Sequence, residues 1–153
     1  MTSHRETLAE FSSVVCFKAV IGVEDTLGED GAAVVFTRAG KVRGQQLVAS
    51  LGLTGKNIPV GELGATLNAA LGQDGTRLCS VEKAETNGEQ VVIDTQETVC
   101  SAGEPSGSTR KCTFTLGAIW GALEAVSGQR YLGEHTESVL RGGSSDKFVF
   151  SPM

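Results

Sequence analysis

Apolar residues recur at helical spacing through the first third of the chain. Phe11, Val14, Val15, Phe17, Val20 and Ile21 form a broad stripe over residues 8–27, which predicts an amphipathic helix. From about 29 to 51, Val35, Phe36, Ala39 and Val42 keep the same spacing, and Leu47, Val48 and Leu51 continue it slightly rotated. Gly28 stands between the two segments as a break. Gly52 and Gly55 end the second, and Pro59 marks the start of a third helix whose face is Val60, Leu63, Leu67, Ala70 and Leu71.

The period then falls from about 3.6 residues to 2. Residues 77–85 and 89–98 are rich in β-branched side chains and flank Asn87-Gly88, a strong hairpin signal. In the second of them Val91, Ile93 and Thr95 share one face. A glycine- and serine-rich loop covers 101–109, and residues 112–126 form the clearest helix, with Leu116, Ile119, Trp120, Leu123 and Val126 on its apolar face. Residues 130–140 and 147–151 read as a second strand pair around a turn at 141–145. The expected fold is α+β, with helices packed on an antiparallel sheet.

Composition adds little to this pattern except its glycines. With 153 residues the expectation is one domain over 1–153, burying about two-thirds of the unfolded chain's surface without needing disulfides or metal. Twenty glycines signal many turns or close helix contacts. The net charge of −5 argues against a nucleic-acid partner, which requires a basic stripe. Residues 82–97 alone carry a net −4 and read as a solvated hairpin face. No apolar run is long enough to span a membrane. The polar first ten residues and four cysteines without a C-x-x-C pair lead to an expectation of a cytoplasmic protein with reduced thiols.

Candidate chemistry is sparse. The two histidines are His4 and His135, and neither a nucleophile elbow, a P-loop nor a dinucleotide fingerprint occurs. No catalytic residue and no cofactor is therefore assigned. Gly117-x-x-x-Gly121 suggests either a groove for a flat ligand or close packing against a neighbouring element. Cys100 and Cys112 bracket the glycine-rich loop, with Cys112 at the helix start, where the dipole favours a thiolate. With His135 they make a three-ligand metal site conceivable, although buried cysteines more often act as small hydrophobes.

The second half carries a resemblance. Cys100-Ser101-Ala102-Gly103, the run from Cys112 to Glu124, Glu134-His135-Thr136-Glu137-Ser138, Arg141-Gly142 and Phe148-Val149-Phe150 together resemble the 4-vinyl reductase domain family, also called predicted hydrocarbon-binding proteins. The match covers roughly residues 75–151, and Gly40-x-x-x-Gly44 agrees with it loosely. That family is similar in fold to small subunits of the TRAPP vesicle-tethering complex and to haem-based nitric-oxide-sensing domains. The resemblance implies a helix-covered sheet around an apolar cavity, often paired with a second copy. It implies a hydrophobic small molecule as partner: a hydrocarbon, a lipid or a tetrapyrrole pigment precursor.

Many relatives have cysteines, proposed as metal ligands, where this chain has Ser138 and Asp146. Two lost sulfurs weaken a soft-metal site, so no metal is expected. The candidate ligand-binding residues are Phe36, Cys100, Cys112, Phe114, Trp120, His135, Glu137 and Phe148, with His135 and Glu137 on one strand face. The expected function is a non-catalytic binding module, homodimeric through its N-terminal helix. The alternative is an enzyme subunit assisting reduction of a vinyl group on a chlorophyll precursor, whose electrons would come from a separate partner.

Overall fold

The computed structural model describes residues 22–153. Most of the first expected helix, His4 and Cys16 lie outside the described residues. The elements are α1 (Gly22–Ser50), α2 (Val60–Leu71), β1 (Ser80–Asn87), β2 (Gln90–Gln96), α3 (Thr113–Ser127), β3 (Tyr131–Glu137), a 3₁₀ turn (Val139–Arg141) and β4 (Asp146–Pro152). Three helices pack on a four-stranded antiparallel sheet of order β1-β2-β4-β3. Among the described residues no helix is long and apolar enough to cross a membrane.

Gly28 interrupts the helical dihedrals of α1 with φ 75° and ψ 169°, a conformation that a side chain would resist. Beyond it, α1 turns Ala32, Gly40, Gly44, Leu47 and Val48 inward. α3 is the central helix: nine of its fifteen residues are buried, because α1 covers one side of it and the sheet the other. Gly40 and Gly44 of α1 meet Gly117 and Gly121 of α3, and a Cβ on any of the four would overlap backbone atoms of the facing helix. Gly117-x-x-x-Gly121 is thus a helix-crossing surface occupied by α1, not a ligand groove. Lys41 seals its edge, 3.0 Å from the Glu124 carboxylate and 4.3 Å above the Trp120 ring.

The hairpin closes one residue later than the sequence suggests. Asn87 still pairs with Gln90, so the turn is Gly88-Glu89, with Gly88 at φ 64°. The expected alternation in β2 holds: Val91, Ile93 and Thr95 are buried. Beside them Phe148 and Phe150 of β4 are fully buried and meet Ile119 and Leu123 of α3 in one core.

The last strand pair needs correction. Instead of running to residue 140, β3 stops at Glu137, with its register slipped between His135 and Glu137. The cause is side-chain capture of backbone donors. Ser138 Oγ accepts from Leu140 N at 3.2 Å, and Asp146 Oδ1 accepts from Val139 N at 3.4 Å. With those N–H groups committed the ladder cannot continue, and the chain tightens into a 3₁₀ turn closed by Gly142 at φ 86°.

Candidate functional site

The two central strands and the start of α3 bring a polar cluster under the apolar core. Asp146 opens β4 on the same face as Phe148 and Phe150, so strand alternation points its carboxylate inward, where it is fully buried. A buried carboxylate must be compensated, and this one has four donors. Oδ2 accepts from Thr98 Oγ1 at 3.2 Å and Ser101 Oγ at 3.1 Å. Oδ1 accepts from Val139 N and lies 3.1 Å from His135 Nε2. Burial opposes ionisation of Asp146, but hydrogen bonding and attraction from His135, with help from Ser101 and Thr98, hold its pKa below the usual carboxylate value.

Two buried thiols adjoin this carboxylate. Cys112 caps α3, with its Sγ 3.4 Å from Thr98 Oγ1 and 3.3 Å from Ser101 Oγ. Cys100 Sγ lies 3.5 Å from the same threonine hydroxyl and 3.7 Å from Thr115 Oγ1. The hydrogen bond to Cys100, together with burial, pushes the Cys112 thiol well above its ordinary pKa. For Cys100, burial is outweighed by its hydrogen bonding with Cys112, Thr98 and Thr115, which lowers it. Cys79, buried elsewhere in the core, is pushed up to about 12 by burial.

His135 lies between this cluster and an open cleft. Its side chain is 6% exposed, its ring stacks at a tilt on Phe148 with centroids 5.0 Å apart, and its Nδ1 is buried without a partner. The cleft, about 640 Å³, runs between the start of α3 and β3. Cys112, Leu116, Gly133 and His135 line it, with Lys111 and Arg141 among its polar residues.

Cys112, His135 and Asp146 each offer a donor atom within 4.8 Å of the others. The sequence reading sets His135 with Cys100 and Cys112 as a conceivable ligand set, and the fold puts Asp146 in place of Cys100. A thiol, an imidazole and a carboxylate converging beside an unpartnered ring nitrogen fit a borderline cation of the Zn²⁺ type, with one coordination position left over. Ser138 is not one of the three; its hydroxyl caps the 3₁₀ turn.

The eight residues singled out from sequence are dispersed. Cys112 and His135 line the cleft, while Cys100 and Phe148 are packed behind them. Phe36 is half-buried and lines a separate cavity of about 40 Å³ near Glu24, Asp30 and Arg110. Phe114 is half-buried, and its carbonyl faces Gly40 at the helix crossing. Trp120 is engaged structurally, with Nε1 donating to the Tyr131 carbonyl at 3.0 Å. Glu137 does not share a face with His135, because the register slip turns it to solvent, where Lys147 Nζ lies 3.4 Å from its carboxylate.

Thr98 escaped the sequence reading, and Ser101 stood in it only as part of the motif Cys100-Ser101-Ala102-Gly103. Lys111 and Gly133 emerge only from the fold, and Leu116, legible as a helix-face residue, is placed at the cleft only by it. Asp146 did leave a signal: it is in phase with Phe148 and Phe150, and an acid on the buried parity of a strand is worth explaining.

No family model matches the sequence, and no curated protein matches it. Solved structures do. The phenol-responsive sensory domain of the transcription activator PoxR, with phenol, aligns with a TM-score of 0.65 and 18% identity, over 92% of this chain and 74% of that one. Subunit 3 of a trafficking protein particle complex from Naegleria fowleri, covalently bound to palmitic acid, aligns with a TM-score of 0.57 and 12% identity, over 94% and 96%. The chain therefore has a fold common to TRAPP-like and sensory ligand-binding domains.

Proposed function

We propose that this chain is a non-catalytic binding module that holds a small molecule with an apolar body in the cleft between α3 and β3. The observation that carries this reading is the cleft itself. Its volume of about 640 Å³ lies within the range of small-molecule sites, and Leu116, Gly133 and Cys112 give it an apolar wall among polar residues that include His135 and Lys111. The two structural neighbours, one with phenol and one with palmitic acid, support small-molecule binding as the use of this fold. The resemblance to the 4-vinyl reductase domain family supports a hydrophobic ligand. A Zn²⁺-type cation would be held by Cys112, His135 and Asp146, where it would cross-link α3, β3 and β4.

The second part of the proposal is a homodimer; the first helix expected to supply its surface lies mostly outside the described residues, and α1 offers a surface of its own. Val34, Val35 and Val42 are 72%, 45% and 42% exposed on the side of α1 away from α3, and three β-branched apolar residues in water favour association. Sedimentation velocity at micromolar concentration is expected to give a dimer, with Val34→Glu giving a monomer; a wild-type monomer overturns this part.

Native mass spectrometry of protein purified from its own host tests the binding reading. The expected result is a retained small molecule that is lost in Thr113→Trp, which places an indole at the cleft. Retention unchanged by that substitution would put the ligand elsewhere.

A further inference from the structure

The exposed face of α1 carries an internal symmetry. Single apolar residues in water need no partner, but the four large ones that α1 exposes, Leu27, Val34, Val35 and Val42, are ordered. At about 100° per residue, Val34, Val35 and Val42 share one sector of the helix with Arg38. That sector is opposite Gly40 and Gly44, which face α3. Leu27 joins it from beyond the Gly28 break, because its Cβ lies 3.1 Å from where a Gly31 side chain would begin, and Gly31 is in the same sector. The four are spaced evenly about a point between Val34 and Val35. Leu27 stands seven positions before that pair and Val42 seven positions after it. Reversing the direction of the helix therefore maps the apolar stripe onto itself.

The charges behave in the opposite way. Asp25, Glu29 and Asp30 precede the central point, and Arg38, Lys41 and Arg43 follow it. Two parallel copies of α1 would set like charge beside like charge, whereas antiparallel copies set acidic beside basic. Lys41 is already engaged by Glu124. Asp30 and Arg38 are exposed and have no ion-pair partner among the described residues. A face whose apolar positions coincide with themselves on reversal, and whose charges then pair, is self-complementary, as a two-fold interface requires.

We infer that two copies of this chain pair through α1 in antiparallel orientation, about a two-fold axis between Val34 and Val35. The inference rests on the homodimer proposed above and supplies its geometry. Val42 packs against the partner's Leu27. Arg38 lies over the partner's Gly31, where the missing side chain leaves room, and its guanidinium reaches the carboxylate of the partner's Asp30. Symmetry makes each of these contacts twice.

Disulfide trapping and charge exchange test this geometry. In a Cys16→Ser background the other three cysteines are buried, so an engineered surface thiol reports on its own neighbours. Val34→Cys is expected to give a covalent dimer on mild oxidation, since the axis brings the two thiols together. Ala49→Cys, near the far end of α1, is expected to give none. Arg38→Asp and Asp30→Arg, each alone, should weaken the dimer about tenfold in sedimentation, because each reverses two exposed ion pairs at once. The double exchange should restore the wild-type Kd. A dimer that crosslinks through both cysteines, or through neither, overturns the inference. So does a double exchange that is no tighter than either single change. These outcomes leave the homodimer standing, whereas a wild-type monomer at micromolar concentration removes it together with this geometry.

Discussion

Asp146 is the residue on which the polar cluster depends. It is the acceptor that satisfies Thr98, Ser101, Val139 N and His135 together, so its removal strands several buried donors. Asp146→Ala is expected to cost about 3–5 kcal/mol in urea unfolding, the usual penalty for breaking a buried pair. The pH dependence follows from the sign of the shift. A carboxyl whose pKa is lower in the folded state stabilises the fold above its unfolded value, about 4, and that stability is lost as pH falls through the folded value. The urea midpoint of the wild type should therefore drop on acidification below about pH 4, and Asp146→Asn should flatten that drop. An equally steep drop in the variant would assign acid sensitivity to other groups. Cys112, His135 and Asp146 also predict that Co²⁺, used as a spectroscopic probe, gives thiolate-to-metal absorption that is lost in Cys112→Ser. An unchanged spectrum would place the metal elsewhere.

Among the elements, the α1–α3 crossing is the one whose stability depends on the absence of side chains. Gly44→Ala or Gly117→Ala puts a methyl into the facing backbone, and the helices must separate. Each change is expected to destabilise by about 1–3 kcal/mol, lowering Tm by several degrees, whereas Gly61→Ala, whose Cβ meets nothing within 4 Å, should be close to neutral or slightly stabilising. Equal effects at the three sites would contradict the close crossing. Helical periodicity over residues 112–126 and strict alternation from Val91 to Thr95 made α3 and β2 legible in sequence, because each pattern records a face buried by the element itself. Both glycine pairs were visible too, but their mutual contact is a tertiary event that no local pattern encodes. The end of β3 was illegible for the same reason: the donor that terminates it, Val139 N, is captured by a carboxylate seven residues away.

At the level of the whole molecule, the sheet order β1-β2-β4-β3 is what assembles the site. Placing β4 between β2 and β3 sets Asp146 beside both the segment after β2, which supplies Thr98 and Ser101, and His135 on β3. Sequence could offer Cys112 and His135 as candidates, since chemistry-bearing residue types stand out in a chain with few of them. It could not separate them from Phe36, Trp120 or Glu137, because only the topology decides which of these face one cleft. The core under that cleft is firm: Phe148 supports the His135 ring from a fully buried position, and Phe148→Ala is expected to cost about 3–5 kcal/mol. The central claim is that this cleft binds a small molecule, and ¹⁵N–¹H correlation spectra titrated in turn with phenol and palmitate, the molecules held by the two structural neighbours, test it most directly. Saturable shifts concentrated at Lys111, Thr113, Leu116, Gly133 and His135 are predicted. Saturable shifts confined to other parts of the molecule, or none at all, would contradict it.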